Sequence, residues 1–145
     1  MSTILVVDDE ESVRRVLVEF LQKHGFAASA AEDGVTALTM IRRLQPEVVL
    51  LDICMPGLDG IETLKRLKSE APRTAVIMIS GEADLRIALE SLDHGAYDFI
   101  QKPLDLAYLE RTLIARIATL DRAPSKTPHQ EVRHAETGRG RRRAR

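Results

Sequence analysis

The sequence has little of what anchors a protein in a membrane or cross-links a small secreted fold. Its 145 residues include one cysteine, Cys54, no tryptophan and only 3% aromatic residues. One cysteine excludes an internal disulfide framework and a zinc site built from several cysteines, and it favours a reducing compartment. No apolar run approaches the roughly 20 residues of a membrane span, and the N-terminus lacks the features of a signal peptide. We therefore predict a cytoplasmic protein without membrane contact, whose core is aliphatic.

The net charge of −1 is the sum of two segments of opposite charge. Residues 1–121 carry 13 basic and 20 acidic residues, whereas residues 122–145 carry 8 basic and 2 acidic ones. The second segment has no hydrophobic periodicity and is rich in Pro, Ser, Thr, Gly and Arg, a composition typical of disorder. We predict one domain at 1–121, followed at 122–145 by a disordered basic tail or a linker cut from a longer protein. Weak, salt-sensitive contact of this segment with nucleic acid is an alternative that its charge leaves open.

Within residues 1–121, five short apolar runs alternate with five helical patterns. The runs lie at 3–7, 26–30, 47–51, 75–79 and 97–100, and most lack the polar alternation of a half-exposed strand, so they predict strands buried on both faces. The intervening apolar residues recur at helical spacing, as in the fourth pattern with its Leu85, Ala88, Leu89 and Leu92. Right-handed crossovers between such strands predict a doubly wound α/β domain with a parallel five-stranded sheet and five helices.

Polar residues follow these strands where each one ends. Asp8 and Asp9 follow the first strand, Asp52 ends the third, Ser80 ends the fourth and Lys102 follows the fifth. In open parallel sheets, ligands bind outside the carboxyl ends of the strands. We therefore expect these five side chains to converge at one edge of the sheet, although nearly a hundred residues separate the first from the last.

Three carboxylates in one pocket repel each other unless a cation neutralises them. Mg²⁺ prefers oxygen ligands, and no cluster of histidine or cysteine side chains at this edge would favour zinc. A lysine ammonium and a serine hydroxyl suit phosphoryl oxygens. An ionised aspartate can attack phosphorus without a general base and form an acyl phosphate. The combination predicts Mg²⁺-dependent phosphoryl transfer.

Four motifs carry a resemblance to a known family. They are Val-Val-Asp-Asp-Glu at 6–10, Leu-Asp-Ile-Cys-Met-Pro-Gly-Leu-Asp-Gly at 51–60, Ile-Ser-Gly at 79–81 and Gly-Ala-Tyr-Asp-Phe-Ile-Gln-Lys-Pro-Leu at 95–104. Together they resemble the receiver (CheY-like) domain of two-component response regulators over almost all of residues 1–121. The stretch from Gly95 is similar to the nitrogen-regulatory branch. The resemblance implies a flavodoxin-like (βα)5 fold with strand order 2-1-3-4-5.

The resemblance also implies a phosphorelay response regulator with a defined acceptor and metal site. Asp52 would accept a phosphoryl group from the phosphohistidine of a sensor histidine kinase or a phosphotransfer protein. Asp9, Asp52 and the backbone carbonyl of Cys54 would ligate Mg²⁺, and Asp8 would bind it through a water. Such a domain catalyses its own phosphorylation and dephosphorylation as a signalling component rather than serving as a turnover enzyme.

The remaining implied roles concern the response to phosphorylation. Ser80 and Lys102 would contact the phosphoryl group, and the Lys102–Pro103 peptide bond would be cis. Phe99 occupies the switch position where many relatives have Tyr, so any switch here must rest on packing rather than on a phenol hydrogen bond. We further hypothesise that Glu82, at the mouth of the site, repels anionic donors and attacking water.

The state of the site would be read at a face made by the fourth helix, fifth strand and last helix. This face would bind a downstream output protein, an output domain missing from this sequence, or a second copy of the chain.

Plainer interpretations of the same residues remain open at this stage. Asp8 and Asp9 could cap the first helix, and Ser80 and Lys102 taken singly could be a turn hydroxyl and a surface lysine. An aspartyl-nucleophile phosphohydrolase would use the same groups for turnover, but 121 residues leave no room for a cap domain. A flavodoxin-like cofactor binder is disfavoured, since two acids occupy the place of a phosphate-binding loop.

Overall fold

Five strands and five helices alternate along the chain. The computed structural model describes residues 2–53, 60–81 and 85–122. The strands are β1 (Thr3–Val7), β2 (Ala27–Ala31), β3 (Val48–Asp52), β4 (Ala75–Ser80) and β5 (Asp98–Gln101). The helices are α1 (Glu11–Lys23), α2 (Gly34–Leu44), α3 (Gly60–Glu70), α4 (Leu85–Asp93) and α5 (Leu106–Arg122).

All five strands form one parallel sheet in the order β2-β1-β3-β4-β5. The predicted fold class and strand order are therefore confirmed. In the pairing register, Asp52 lies opposite Ile79, and Ser80 lies opposite Gln101. Because neighbouring parallel strands end at nearly the same level, the residues at their carboxyl ends lie along one edge.

The sheet is buried on both faces, which explains why its central strands are almost wholly apolar. Alternate side chains of β1, β3 and β4 pack against α2, α3 and α4 on one face, and the others pack against α1 and α5. Every residue of β3 and β4 is buried. The core is aliphatic as predicted, and no helix in the described ranges is long and apolar enough to span a membrane.

β1 has the predicted bounds, and the bounds of the other four strands differ from the predicted ones by one residue. Gly25 and Gly95 follow α1 and α4 with φ of +87° and +99°, the left-handed conformation of a helix C-terminus. α5 continues to Arg122, one residue beyond the predicted domain end. The segment 123–145, for which we predict disorder, lies outside the described residues.

Two leucines of α4 do not join the core, although the helical pattern includes them. Leu85 and Leu89 are 42% and 52% exposed, whereas Ala88 and Ser91 are fully buried. The fully buried contact of α4 therefore runs through small residues, which let the helix approach the sheet closely, while Ile87 and Leu92 pack against the core partly buried. Leu85 and Leu89 are left on the surface.

Gly60 begins α3 beneath the end of β3. Its N–H donates a hydrogen bond of 2.9 Å to the carbonyl of Ile53. A Cβ at this position would lie 2.6 Å from the carbonyl oxygen of Asp52 and 2.6 Å from the Cα of Ile53. Both contacts are with backbone, so neither can be relieved by a side-chain rotation. Only glycine lets α3 begin this close to the strand that carries Asp52.

We expect Gly60→Ala to lower the free energy of unfolding by about 1–3 kcal/mol, the usual cost of overpacking. Urea denaturation measures this change. Ser69→Ala, an exposed position of the same helix, is the matched control and should stay within about 0.5 kcal/mol of the parent. Equal stability of the two variants would contradict the steric argument.

Candidate functional site

The polar residues predicted to converge do so at the carboxyl edge of the sheet. Asp8 directly follows β1, Asp52 and Ser80 end β3 and β4, and Lys102 directly follows β5. One carboxylate oxygen from each of Asp8, Asp9 and Asp52 lies within 4.8 Å of the other two. The three acids therefore form a single cluster.

Burial makes the negative charge of this cluster costly. Asp8 and Asp52 are 1% and 5% exposed, while Asp9 is exposed. Oδ1 of Asp8 accepts a 2.9 Å hydrogen bond from the backbone N–H of Glu10, but Oδ2 is buried without a hydrogen-bond partner in the described part of the chain. Burial raises the pKa of Asp8, against the lowering effects of that N–H and of Lys102. A buried, under-satisfied carboxylate beside two others fits a hard divalent cation.

Lys102 lies among the acids without bonding closely to any one of them. Its Nζ is 3.7 Å from Asp8 Oδ2, 3.8 Å from Glu10 Oε1 and 4.0 Å from Asp52 Oδ2. Burial lowers the pKa of Lys102, but the charges of Asp52, Asp8 and Glu10 outweigh it and raise the pKa overall. The ammonium therefore stays charged. Glu10 is not among the predicted site residues, and its only signal in the sequence is its position directly after the acid pair.

The ends of β4 and β5 hold Ser80 and Lys102 next to each other. The backbone N–H of Lys102 donates a 2.7 Å hydrogen bond to the carbonyl of Ser80. The peptide bond between Lys102 and Pro103 is cis, the isomer that the resemblance implies. Ser80 is fully buried, and its Oγ has no hydrogen-bond partner among the described residues. A buried hydroxyl of this kind carries an energetic cost and is available to an incoming oxygen.

The capping explanation for the acid pair finds little support. The N-cap of α1 is Glu10, and its side chain makes no capping hydrogen bond. Asp8 accepts from Glu10 N–H, just before the helix begins, while Arg14 Nη1 donates a 2.7 Å hydrogen bond to the backbone carbonyl of Asp8. These bonds fix the loop after β1 and leave one oxygen of Asp8 directed into the cluster.

Phe99 lies on β5 and packs, partly buried, against the core on the α2, α3 and α4 face. The residue before it forms a polar network that our sequence analysis missed. Oδ1 of Asp98 accepts a 2.8 Å hydrogen bond from the N–H of Phe99, and Oδ2 accepts a 3.0 Å bond from the Tyr108 hydroxyl. Burial raises the pKa of Asp98 against the lowering effect of these two donors. The network ties α5 to the strand that carries the predicted switch residue.

Two predicted site residues lie outside the described part of the chain. They are Cys54, predicted to offer its carbonyl to a metal, and Glu82, predicted to modulate access.

The fold and the carboxyl-edge cluster define a class of protein, and sequence comparison agrees. The profile of the response regulator receiver domain matches residues 4–114, so the chain belongs to this family. The resemblance carried by the strand-end motifs is therefore confirmed.

Several relatives place the chain near nitrogen-regulatory proteins, as the motif at 95–104 indicates. The regulatory protein AtoC of Escherichia coli K12 is 40% identical over 134 residues, which are 92% of this chain and 28% of AtoC. The nitrogen assimilation regulatory protein NtrX of Azorhizobium caulinodans is 39% identical over 104 residues, 70% of this chain and 23% of that protein. This chain thus spans about a quarter of the length of these relatives.

Solved receiver domains share the fold. The receiver domain of NtrX from Brucella abortus has a TM-score of 0.77 at 36% identity, covering 80% of this chain and 98% of that one. A receiver domain protein from Clostridium thermocellum has a TM-score of 0.80 at 27% identity, covering 83% of this chain and 98% of that one.

Because burial raises the pKa of Asp98, we predict that Asp98→Asn increases the free energy of unfolding in a pH-dependent way. The amide keeps an oxygen for Phe99 N–H and can donate to the Tyr108 hydroxyl, while the cost of burying a charge disappears. That cost is absent at a pH where Asp98 is protonated in both the folded and the unfolded state. It grows as the pH rises above the ordinary aspartate pKa of 3.8. We expect Asp98→Asn to be more stable by about 1 kcal/mol at neutral pH, with the gain lost in acid.

Urea denaturation at several pH values measures this difference. Glu19→Gln, which removes an exposed carboxylate of α1, is the control and should match the parent at every pH. A destabilised Asp98→Asn at neutral pH would mean that the carboxylate charge itself stabilises the network.

Proposed function

We propose that this receiver domain is a phosphorylation switch in which Asp52 accepts a phosphoryl group from a phosphohistidine in a Mg²⁺-dependent step. The observation that carries the proposal is the convergence of Asp8, Asp9 and Asp52 within 4.8 Å, with the Nζ of Lys102 4.0 Å from Asp52 Oδ2. An acid acceptor, a set of metal-binding oxygens and a positive charge are the groups that phosphoryl transfer requires.

In the proposed reaction, a carboxylate oxygen of Asp52 forms a bond to phosphorus as the bond from phosphorus to the donor imidazole breaks. The products are an acyl phosphate on Asp52 and an unphosphorylated histidine. Asp9, Asp52 and the carbonyl of Cys54 would hold Mg²⁺ directly and Asp8 would hold it through a water, and the ion would neutralise charge on the phosphoryl oxygens. Proton abstraction from Asp52 is unnecessary because its carboxylate is already the nucleophile.

Lys102 and Ser80 would recognise the phosphorylated state. The long distances from Lys102 Nζ to its acids, 3.7 to 4.0 Å, mean that little is lost when the ammonium turns to a phosphoryl oxygen. The unpartnered Oγ of Ser80 gains an acceptor in the same event. Both groups would therefore interact more favourably with the phosphorylated state than with the unphosphorylated one. Such a difference is the condition for a shift in population between two conformations. Phe99 would follow through its packing.

The partners we propose are a sensor histidine kinase or phosphotransfer protein as donor and an output protein or further domain as receiver of the signal. AtoC and NtrX are about four times as long as the region that matches this chain, and a receiver domain alone carries no output chemistry. The domain would promote its own phosphorylation and dephosphorylation, without turnover of a free substrate.

A single measurement tests the acceptor. Incubation with acetyl phosphate and Mg²⁺ should add one phosphoryl group by intact-protein mass spectrometry, and neither Asp52→Asn nor the parent in EDTA should gain it. Asp9→Asn should need at least about tenfold more Mg²⁺ for the same rate, because it loses a proposed ligand. Glu19→Gln should be labelled like the parent.

Two results would overturn the proposal. Labelling that persists in Asp52→Asn would place the acceptor elsewhere, and rapid multiple turnover of small phosphomonoesters would favour a phosphohydrolase.

The face made by α4, β5 and α5 is the surface that we propose pairs with a second copy of the chain. Leu85 and Leu89 of α4 and Tyr108 of α5 are 42%, 52% and 39% exposed. They flank β5, whose Phe99 and Asp98 connect this surface to the neighbourhood of Lys102. Large apolar side chains at the surface favour association, and their position links it to the phosphorylation site.

We expect beryllofluoride with Mg²⁺, which imitates an acyl phosphate, to raise the dimer fraction in sedimentation velocity. Leu89→Glu should weaken that dimer at least about tenfold, since it puts a charge in an apolar contact. Val35→Glu changes a residue of α2 that is 64% exposed and should dimerise like the parent. A monomeric parent, or equal effects of the two variants, would contradict the proposed face.

A further inference from the structure

Two basic side chains reach the connection between α3 and β4 at the amino edge of the sheet, opposite the edge that carries Asp52. Lys68 of α3 donates through Nζ to the backbone carbonyls of Pro72 (2.9 Å) and Thr74 (2.8 Å). Arg116 of α5 lies with Nη2 3.4 Å from the carbonyl of Arg73. Helices from opposite faces of the sheet thus bring two cations to the same short connection between α3 and β4.

Arg116 is buried without satisfying most of its donors. The residue is 4% exposed, and Nε and Nη1 are buried with no hydrogen-bond partner in the described part of the chain. Its guanidinium carbon lies 5.3 Å from the centre of the Tyr97 ring, a contact that offsets only part of the cost of burying a charge. Buried arginines are rarely left unpaired, so these two nitrogens, which carry three N–H donors, indicate a missing acceptor.

Two acids of this edge, Glu47 and Glu70, already have other partners. Oε1 of Glu47 accepts a 2.7 Å hydrogen bond from Thr3 N–H, and Glu70 binds Arg42 through both of its oxygens. Burial lowers the pKa of Lys68, and the charge of Arg116 lowers it further. Burial also lowers the pKa of Arg116, against a raising effect of Tyr97. No described carboxylate raises the pKa of either cation, so the positive charge of the pair lacks a compensating anion among the described residues.

Access to the pair is open on the side of Lys68. This lysine is only partly buried, and Pro72 and Arg73 beside it are exposed. At the turn after α4, a Cβ on Gly95 would lie 3.4 Å from both Cγ and Cε of Lys68, so the glycine lets this turn pack closely on the lysine stem. Arg73 adds a third positive charge at the rim.

We propose that Lys68 and Arg116 form a second anion site, which binds a phosphate-type oxyanion with Arg73 at its rim. A guanidinium presents parallel N–H donors that match two oxygens of such an anion, and an ammonium supplies a point charge for a third. A doubly charged anion neutralises both cations, which chloride cannot do. The site is independent of the phosphorylation of Asp52, since the two lie at opposite edges of the sheet.

Titration with inorganic phosphate, followed by amide chemical shifts in EDTA and without Mg²⁺, tests the site. We expect saturable shifts at residues 68, 73–74 and 95–97, with residues 8–9, 80 and 102 unmoved. Chloride at equal ionic strength should not reproduce them. A parallel titration with a sugar phosphate distinguishes free phosphate from the phosphoryl group of a larger molecule.

The decisive variants are Lys68→Gln and Arg116→Gln, each of which should raise the phosphate Kd at least about tenfold. Lys65→Gln, at an exposed lysine of the same helix, should leave it unchanged. Arg116→Gln can lower stability, and if that variant unfolds, Lys68→Gln and the exposed Arg73→Gln provide the test. Arg73→Gln should weaken phosphate binding less than Lys68→Gln does.

Equal shifts with chloride, an unchanged Kd in Lys68→Gln, or binding that disappears in Asp52→Asn would each overturn the proposal. The last result would assign the phosphate to the acidic site instead.

Discussion

A parallel sheet buried on both faces is the constraint on which the rest of this structure depends. Helices cover both faces of β1, β3 and β4, so the strands can carry polar groups only at their ends. Parallel pairing then places all the carboxyl ends at one edge and all the amino ends at the other. Chemistry at this fold is therefore confined to two lines of residues, and each line collects side chains that are distant in sequence.

The two edges carry opposite electrostatic problems. At the carboxyl edge, Asp8 and Asp52 are buried beside Asp9, and Lys102 compensates them only at distances of 3.7 Å or more. At the amino edge, Arg116 and Lys68 both contact backbone carbonyls of the connection between α3 and β4, and no described carboxylate pairs with either. In each case burial makes the local charge costly, which is the physical reason to expect a counter-ion. The acidic edge matches a cation and a phosphoryl group, and the basic edge matches an oxyanion.

Much of this arrangement could be predicted from sequence because its signals are local. The apolar runs identify the strands, the helical spacing of apolar residues identifies the helices, and the acids, Ser80 and Lys102 stand where the strands stop. The contacts that could not be predicted are those that depend on residues from other parts of the chain. Leu85 and Leu89 have the spacing of a core face, but the fully buried residues of α4 are Ala88 and Ser91. Glu10 lies near Lys102 together with Asp8 and Asp52, and Asp98 accepts a hydrogen bond from Tyr108. No pattern in the sequence indicates either contact.

The amino-acid sequence by itself determined the number and order of the elements, the parallel sheet, and which polar residues lie at its carboxyl edge. Periodicity and strand-end position suffice for that, since parallel topology converts sequence position into spatial position. Only the tertiary structure decided which of those groups are buried, which donors remain unpaired, and that Lys68 and Arg116 reach the same connection at the opposite edge. Burial and pairing are set by side chains from separate helices, and no local pattern records which helices will meet.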